Sequence, residues 1–95
     1  NIPVMALQNA DGNYVMPGDD TFQAAAAGVD WFSVPGMGVS MVNAKGKDSW
    51  PVTTASFILM YKEPANKAES AEVLKFFDWA FKNGKQAALE LDYVP

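Results

Sequence analysis

The sequence predicts an α/β architecture, and three observations carry that prediction. Residues 52–62 form a nearly continuous apolar run rich in β-branched and aromatic side chains, as a central strand covered on both faces would. Residues 67–83 repeat apolar side chains at helical spacing. Upstream, a short apolar run, an Asp-Gly turn and an alanine tract follow one another, as in a hairpin leading into a helix.

Taken in order, Pro3 to Gln8 reads as a short strand closed at Asn9–Asn13, where Asp11-Gly12 favours a tight turn, and Tyr14 to Met16 pairs back before Pro17-Gly18 ends the run. Asp20 is placed to cap a helix starting at Thr21, with Gln23 completing a capping box. Ala24–Ala27 extend that helix at little entropic cost, and Gly28 fits a left-handed residue that ends it. Pro35, Gly36 and Gly38 break the next segment, leaving a short strand at Val39–Val42 and a polar loop over Lys45–Ser49. Pro51 then opens the strand expected over 52–62, at a position where a lost amide donor is tolerated.

The helix expected over 67–83 has Asn66 as its N-cap, with Glu69 three residues on. Val73, Leu74, Phe77, Ala80 and Phe81 form a core-facing stripe. Glu72 with Lys75 and Asp78 with Lys82 belong to a solvated face of modest ion pairs. Gly84 interrupts the helix, and a short helix is expected over 85–91.

Composition excludes several kinds of chemistry. The 95 residues have room for one domain at most, and 49% of them are hydrophobic, so the chain is built to pack. It has no Cys and no His, which removes thiolate and imidazole catalysis, disulfides and the usual zinc sites. With seven Lys, no Arg and a formal charge of −4 it offers no basic stripe for nucleic acid. The longest strongly apolar run, Phe57–Tyr61, is far too short for a membrane span. Asn1 is not an initiator and no leader precedes it, so the chain is expected to be cut from a longer one.

Few residues suggest a site. Gly36 and Gly38 flank Met37 in a loop that could offer amides to an anion, though no helix signature follows, and a plain turn explains them. Thr53, Thr54 and Ser56 stand near a strand end where hydroxyls could reach a ligand, yet strand propensity alone accounts for the threonines. Asp19-Asp20 reads as helix-start acids rather than as metal ligands. Gly46-Lys47 and Gly84-Lys85 complete no phosphate loop, because Met41 and Trp79 stand where its first glycine is needed. Phe76, Phe77, Trp79 and Phe81, at helical spacing, read as core rather than as a sugar or lipid groove. The residues call for no catalytic group, metal or cofactor.

A resemblance adds to this reading. Gly46-Lys47-Asp48-Ser49-Trp50-Pro51-Val52-Thr53, then Ser56-Phe57-Ile58-Leu59, then Glu72-Val73-Leu74-Lys75-Phe76-Phe77-Asp78-Trp79-Ala80 and Glu90-Leu91-Asp92-Tyr93 resemble the C-terminal part of the periplasmic phosphate-binding proteins of Pst-type phosphate ABC transporters. Ala10-Asp11-Gly12, Val15, Pro17, Phe22, Ala25-Ala26, Gly28 and Asp30-Trp31 follow the same order, so the resemblance covers essentially the whole chain. It implies a fragment of a two-lobed periplasmic-binding-protein fold of type II, the Venus-flytrap, closing on dehydrated phosphate. Residues 1–42 would belong to the end of lobe two and the approach to the hinge, and residues 43–95 to the return into lobe one.

The family's phosphate-contacting Ser-Gly-Thr loop, with its nearby Arg and an earlier Asp, has no counterpart here, so no phosphate ligand carries over to any residue. The implied partners are inorganic phosphate, held by other parts of the parent protein, and the ABC permease, in the periplasm. Two further function classes compete. A protein-interaction module or self-associating fragment would use the exposed aromatic face, and an enzyme would have to rely on carboxylates and lysines alone.

Overall fold

The computed structural model describes residues 2–95 and contains two short strands, three α-helices and one 3₁₀ turn. The chain packs as two compact units, one ending at Ser56 and the other spanning Phe57–Pro95.

In the first unit, β1 (Leu7–Gln8) and β2 (Tyr14–Val15) pair antiparallel, with Leu7 opposite Val15 and Gln8 opposite Tyr14. The strand expected from Pro3 therefore shortens to its last two residues. The Asn9–Asn13 turn is where the Asp-Gly pair places it, and Gly12 takes a φ of 84° that its lack of a Cβ permits.

Helix α1 (Asp19–Ala27) begins earlier than expected, and Asp20 is not its cap. The Phe22 amide donates to the Gly18 carbonyl at 3.0 Å, so Gly18 is the N-cap and both acids occupy the first turn. There their charge complements the positive end of the helix dipole without a capping bond. The Thr21 hydroxyl donates backwards, with Oγ1 at 2.7 Å from the Met16 carbonyl oxygen, and fixes the approach of the chain. Gly28 is right-handed, with φ −78°, and so is not the left-handed terminator the sequence suggests.

The small core of this unit consists of Ala25, Met41 and Ala44, with Ala26, Val29, Trp31 and Ala55 packed against them. Val39–Val42 forms no strand, and the adjoining tie to later residues is a single bond from the Asn43 amide to the Pro51 carbonyl at 2.8 Å.

The strand expected over 52–62 is not formed either. Between Val52 and Ser56, burial still alternates with the period of two that a half-covered strand has, and Ala55 reaches the core. Strand identity nevertheless requires a ladder with a neighbour, and no described segment supplies one. From Phe57 to Tyr61 the alternation gives way to general exposure.

In the second unit, α2 (Lys67–Asn83) is followed by α3 (Lys85–Glu90). The Asn66 side chain accepts a hydrogen bond from the Glu69 amide at 3.1 Å. Lys75 pairs with Glu72 and Lys82 with Asp78, each at 2.7 Å and well exposed. The apolar stripe is present but is not buried: no residue of α2 is, and Phe81 is 80% exposed. Aromatic rings along α2 contact one another instead, Phe76 lying edge-on to Phe77 and stacked with Trp79 at centroid distances of 5.3 and 6.5 Å. Among the described residues no helix is long and apolar enough to cross a membrane.

The cap gives a local test. Asn66→Ala leaves the Glu69 amide without its acceptor and is expected to lower helicity and cost about 1 kcal/mol, whereas Asn66→Asp should be nearly neutral. Circular dichroism of both variants through a thermal melt checks the ordering.

Candidate functional site

The best-built polar cluster joins the β1–β2 turn to the Lys45–Pro51 loop. Asn9 is buried, and its side chain uses both ends. Nδ2 donates to the carbonyls of Gly46 and Lys47 at 3.1 and 2.8 Å, while Oδ1 accepts from the amides of Asp11 and Asn13 at 3.1 and 3.0 Å. Two donors and two acceptors are thus all engaged. The Asn9 amide also donates to the Asn13 carbonyl, and its carbonyl accepts from Gly12.

On the loop side, Ser49 is wholly buried, and its hydroxyl donates to the Lys45 carbonyl at 2.9 Å. Gly46, at φ 126°, permits this turn, and a Cβ there would lie 2.6 Å from the Ser49 hydroxyl. The loop is also bound to α1. The Trp50 amide donates to the Thr21 carbonyl at 2.9 Å, and the Trp50 ring lies edge-on to Phe22 at 6.4 Å. Every polar group of Asn9 and the Ser49 hydroxyl are committed to the chain's own backbone, so the cluster holds the fold and offers no donor to a ligand.

The residues singled out from sequence lie in separate local turns or face solvent. The Thr53 hydroxyl donates to the Trp50 carbonyl at 3.1 Å, closing a local turn, while Thr54 and Ser56 face solvent. Gly36 and Gly38 lie in or beside the Pro35–Met37 turn, where the Met37 amide donates to Val34 and the Val39 amide to Met37. Two amides that an anion would need are therefore already used. Asp19 and Asp20 serve the start of α1, and among the described residues no group of three or more acids could hold a metal ion. An open, mainly apolar cleft of about 420 Å³ lies in the second unit between Leu59–Tyr61 and the first turns of α2. Asn66 is among its lining residues, and its side-chain oxygen is occupied in capping.

The sequence pattern does not single out Asn9, because the residues it binds along the loop lie 37 and 38 positions away. The one local signal is an asparagine two residues before an Asp-Gly pair, the arrangement of an Asx turn.

No protein-family model matches the chain. Against curated proteins it is 53% identical over 90 residues to the phosphate-binding protein PstS of Pasteurella multocida, covering 95% of this chain and 26% of that protein. It is 50% identical over 91 residues to PstS of Haemophilus influenzae, covering 96% of this chain and 27% of that protein. By sequence, the chain belongs with the PstS phosphate-binding proteins. PstS of Xylella fastidiosa is 43% identical over 90 residues, again 95% of this chain and 25% of the relative. The chain thus spans about a quarter of the length of the PstS proteins it matches. The matched stretch takes in nearly all of the chain, the Asn9–Ser49 junction included.

Proposed function

We propose that this chain is a scaffold segment of a two-lobed periplasmic phosphate receptor that delivers phosphate to an ABC importer, and that the phosphate-holding donors lie outside these 95 residues. The observation that carries this reading is the 53% identity to a phosphate-binding protein across 95% of the chain. In this reading residues 1–42 end the second lobe and residues 43–95 return into the first. The Asn9–Ser49 junction stands where the chain makes that return. Its role is to clamp the crossing segment so that a hinge bends elsewhere.

The chemistry of the chain fits a scaffold. Phosphate gives up its hydration only to a nearly complete set of donors, and charge-assisted bonds from Arg or from grouped amides normally supply them. This chain has no Arg and a net charge of −4, and its best-organised polar groups bind one another. Enzymatic chemistry would have to proceed without Cys, His or Arg.

The test is a chimera in which this chain replaces the matching stretch of the Pasteurella multocida protein. The chimera should bind inorganic phosphate in isothermal titration as tightly as the parent does, while the 95-residue chain alone should show no heat of binding at micromolar phosphate. A folded chimera that does not bind would overturn the receptor reading. Micromolar binding by the chain alone would overturn the placement of the donors elsewhere, and would return attention to Thr53, Thr54, Ser56, Gly36 and Gly38.

A further inference from the structure

We propose that Asn83 is a self-modifying site, converted by water to aspartate and isoaspartate, and that the conversion releases α3 from the end of α2. The proposal does not depend on the phosphate reading and needs no partner, because the reacting atoms belong to two adjacent residues. Of the six asparagines only Asn83 precedes a glycine, the others being followed by Ile2, Ala10, Tyr14, Ala44 and Lys67. A side chain on the following residue obstructs attack by its nitrogen on the asparagine Cγ, and glycine has none. Lys82 and Lys85 bracket the pair, and cations favour the anionic nitrogen that attacks.

In the first step the Gly84 nitrogen gives up its proton and bonds to the Asn83 Cγ, while the Cγ–Nδ2 bond breaks and Nδ2 takes up a proton and leaves as ammonia. The product is a cyclic imide. Water then opens the ring at one of its two carbonyls. Breaking the bond to Cγ leaves aspartate, whereas breaking the bond to the main-chain carbonyl of residue 83 leaves isoaspartate, with the main chain now running through Cβ and Cγ.

The fold restrains this reaction, and its product disturbs the fold. The Gly84 amide donates to the Ala80 carbonyl at 2.7 Å and Asn83 Nδ2 to the Trp79 carbonyl at 2.9 Å, so nucleophile and leaving group are both engaged while the helix is closed. Both bonds belong to the last turn of α2, and helix ends open at little cost in free energy. Gly84 also carries the join, since its amide closes α2 and its carbonyl accepts the Ala88 amide of α3 at 3.0 Å. A methylene added to the main chain beside Gly84 displaces one of these bonds, and a new carboxylate at the C-terminal end of α2 opposes the helix dipole. Asp11-Gly12 is the competing pair. Its carboxylate repels the attacking anion, and the Gly12 amide is held by the Asn9 carbonyl at 3.0 Å within the turn.

The experiment ages the purified 95-residue chain, and in parallel the chimera that carries it, at mildly alkaline pH and maps their peptides by mass spectrometry. Among the asparagines, conversion should be confined to Asn83, with a gain of one mass unit, release of ammonia and more isoaspartate than aspartate. Urea should speed it at least about tenfold, since the native turn is open only part of the time. In the converted chain, deuterium exchange should quicken at the Gly84 and Ala88 amides, while an aged Asn83→Gln chain keeps the wild-type rate. Asn83→Asp adds the charge without the methylene and should lose less protection than the converted chain. Asn83 still intact in either protein long after the urea-unfolded chain has fully converted would overturn the proposal, as would earlier conversion at another asparagine. A rate that urea leaves unchanged would overturn the restraint by α2, and unaltered exchange after conversion would overturn the release of α3. Equal loss of protection in Asn83→Asp would overturn the part given to the lengthened main chain.

Discussion

Asn9→Ala is expected to destabilise the first unit by about 2–4 kcal/mol, a large part of the stability a small domain has. The side chain makes four hydrogen bonds, and alanine removes all of them at once. A single net hydrogen bond contributes only about 1 kcal/mol, but groups left buried without a partner each cost more than that. Water can reach the Asp11 and Asn13 amides and the Lys47 carbonyl, which lie on exposed residues, so the larger loss falls on the carbonyl of half-buried Gly46. Asn9→Asp separates the two halves of the cluster. It keeps an acceptor for the turn amides but sets a carboxylate oxygen against two carbonyl oxygens, so it should destabilise at least as much as alanine. Urea unfolding followed by tryptophan fluorescence, at low micromolar protein, measures both variants. Trp31 and Trp50 report the first unit from either side of the junction. If Asn9→Asp unfolds at the wild-type urea concentration, the bonds to the Lys45–Pro51 loop contribute nothing, and the hairpin turn alone explains the residue.

The contrast between Asn9 and Asn66 shows what a sequence discloses. The bond of Asn66 reaches three residues along the chain, to the Glu69 amide, and is legible as a spacing. The ion pairs at Glu72–Lys75 and Asp78–Lys82 are legible for the same reason, and so is the whole span of α2. Asn9 reaches across 37 and 38 residues, and no periodicity encodes which loop will pass beneath it. The apolar stripe of α2 and the run over 52–61 mark a different limit. Hydrophobic pattern states that a surface is made to be covered, and both segments carry that pattern clearly; what covers it is a property of other chain. A strand in particular is a relation between two segments, so 52–62 can have the composition of a central strand and still form none. Membership in a family was legible where architecture was not, because ordered motifs such as Lys47-Asp48-Ser49-Trp50-Pro51 are read along the chain whether or not their neighbours are present. The candidate ligand residues make local bonds or face solvent. Thr53 and the Gly36–Gly38 loop carry the right atoms, but those atoms close turns of their own.

Gly28→Ala should cost about 3 kcal/mol, at or above the upper end of ordinary overpacking, although alanine is the better helix former and Gly28 terminates an alanine-rich helix. The reason is distance rather than dihedral angle. With φ −78° and ψ 0° the backbone at Gly28 is open to any residue, so a left-handed requirement does not explain the glycine. A Cβ built there would stand 2.0 Å from the Lys45 carbonyl oxygen and 3.1 Å from its carbon, closer than non-bonded atoms come. The obstacle is main chain and cannot rotate away. That same carbonyl accepts the buried Ser49 hydroxyl, and the following peptides bind Asn9, so yielding to the methyl would drag the junction off both of its anchors. Gly38→Ala is the matched control, at φ −76° with nothing within 4 Å of its Cβ, and it should change stability by no more than about 0.5 kcal/mol. A double variant sharpens the assignment. If Gly28 acts through the loop, adding Asn9→Ala should cost much less in the Gly28→Ala background than in the wild type, because the bonds it deletes have already been displaced. Equal stability of the Gly28→Ala and Gly38→Ala chains in urea would show that the loop gives way freely, and the close approach of α1 to Lys45 would then have no part in holding this unit together.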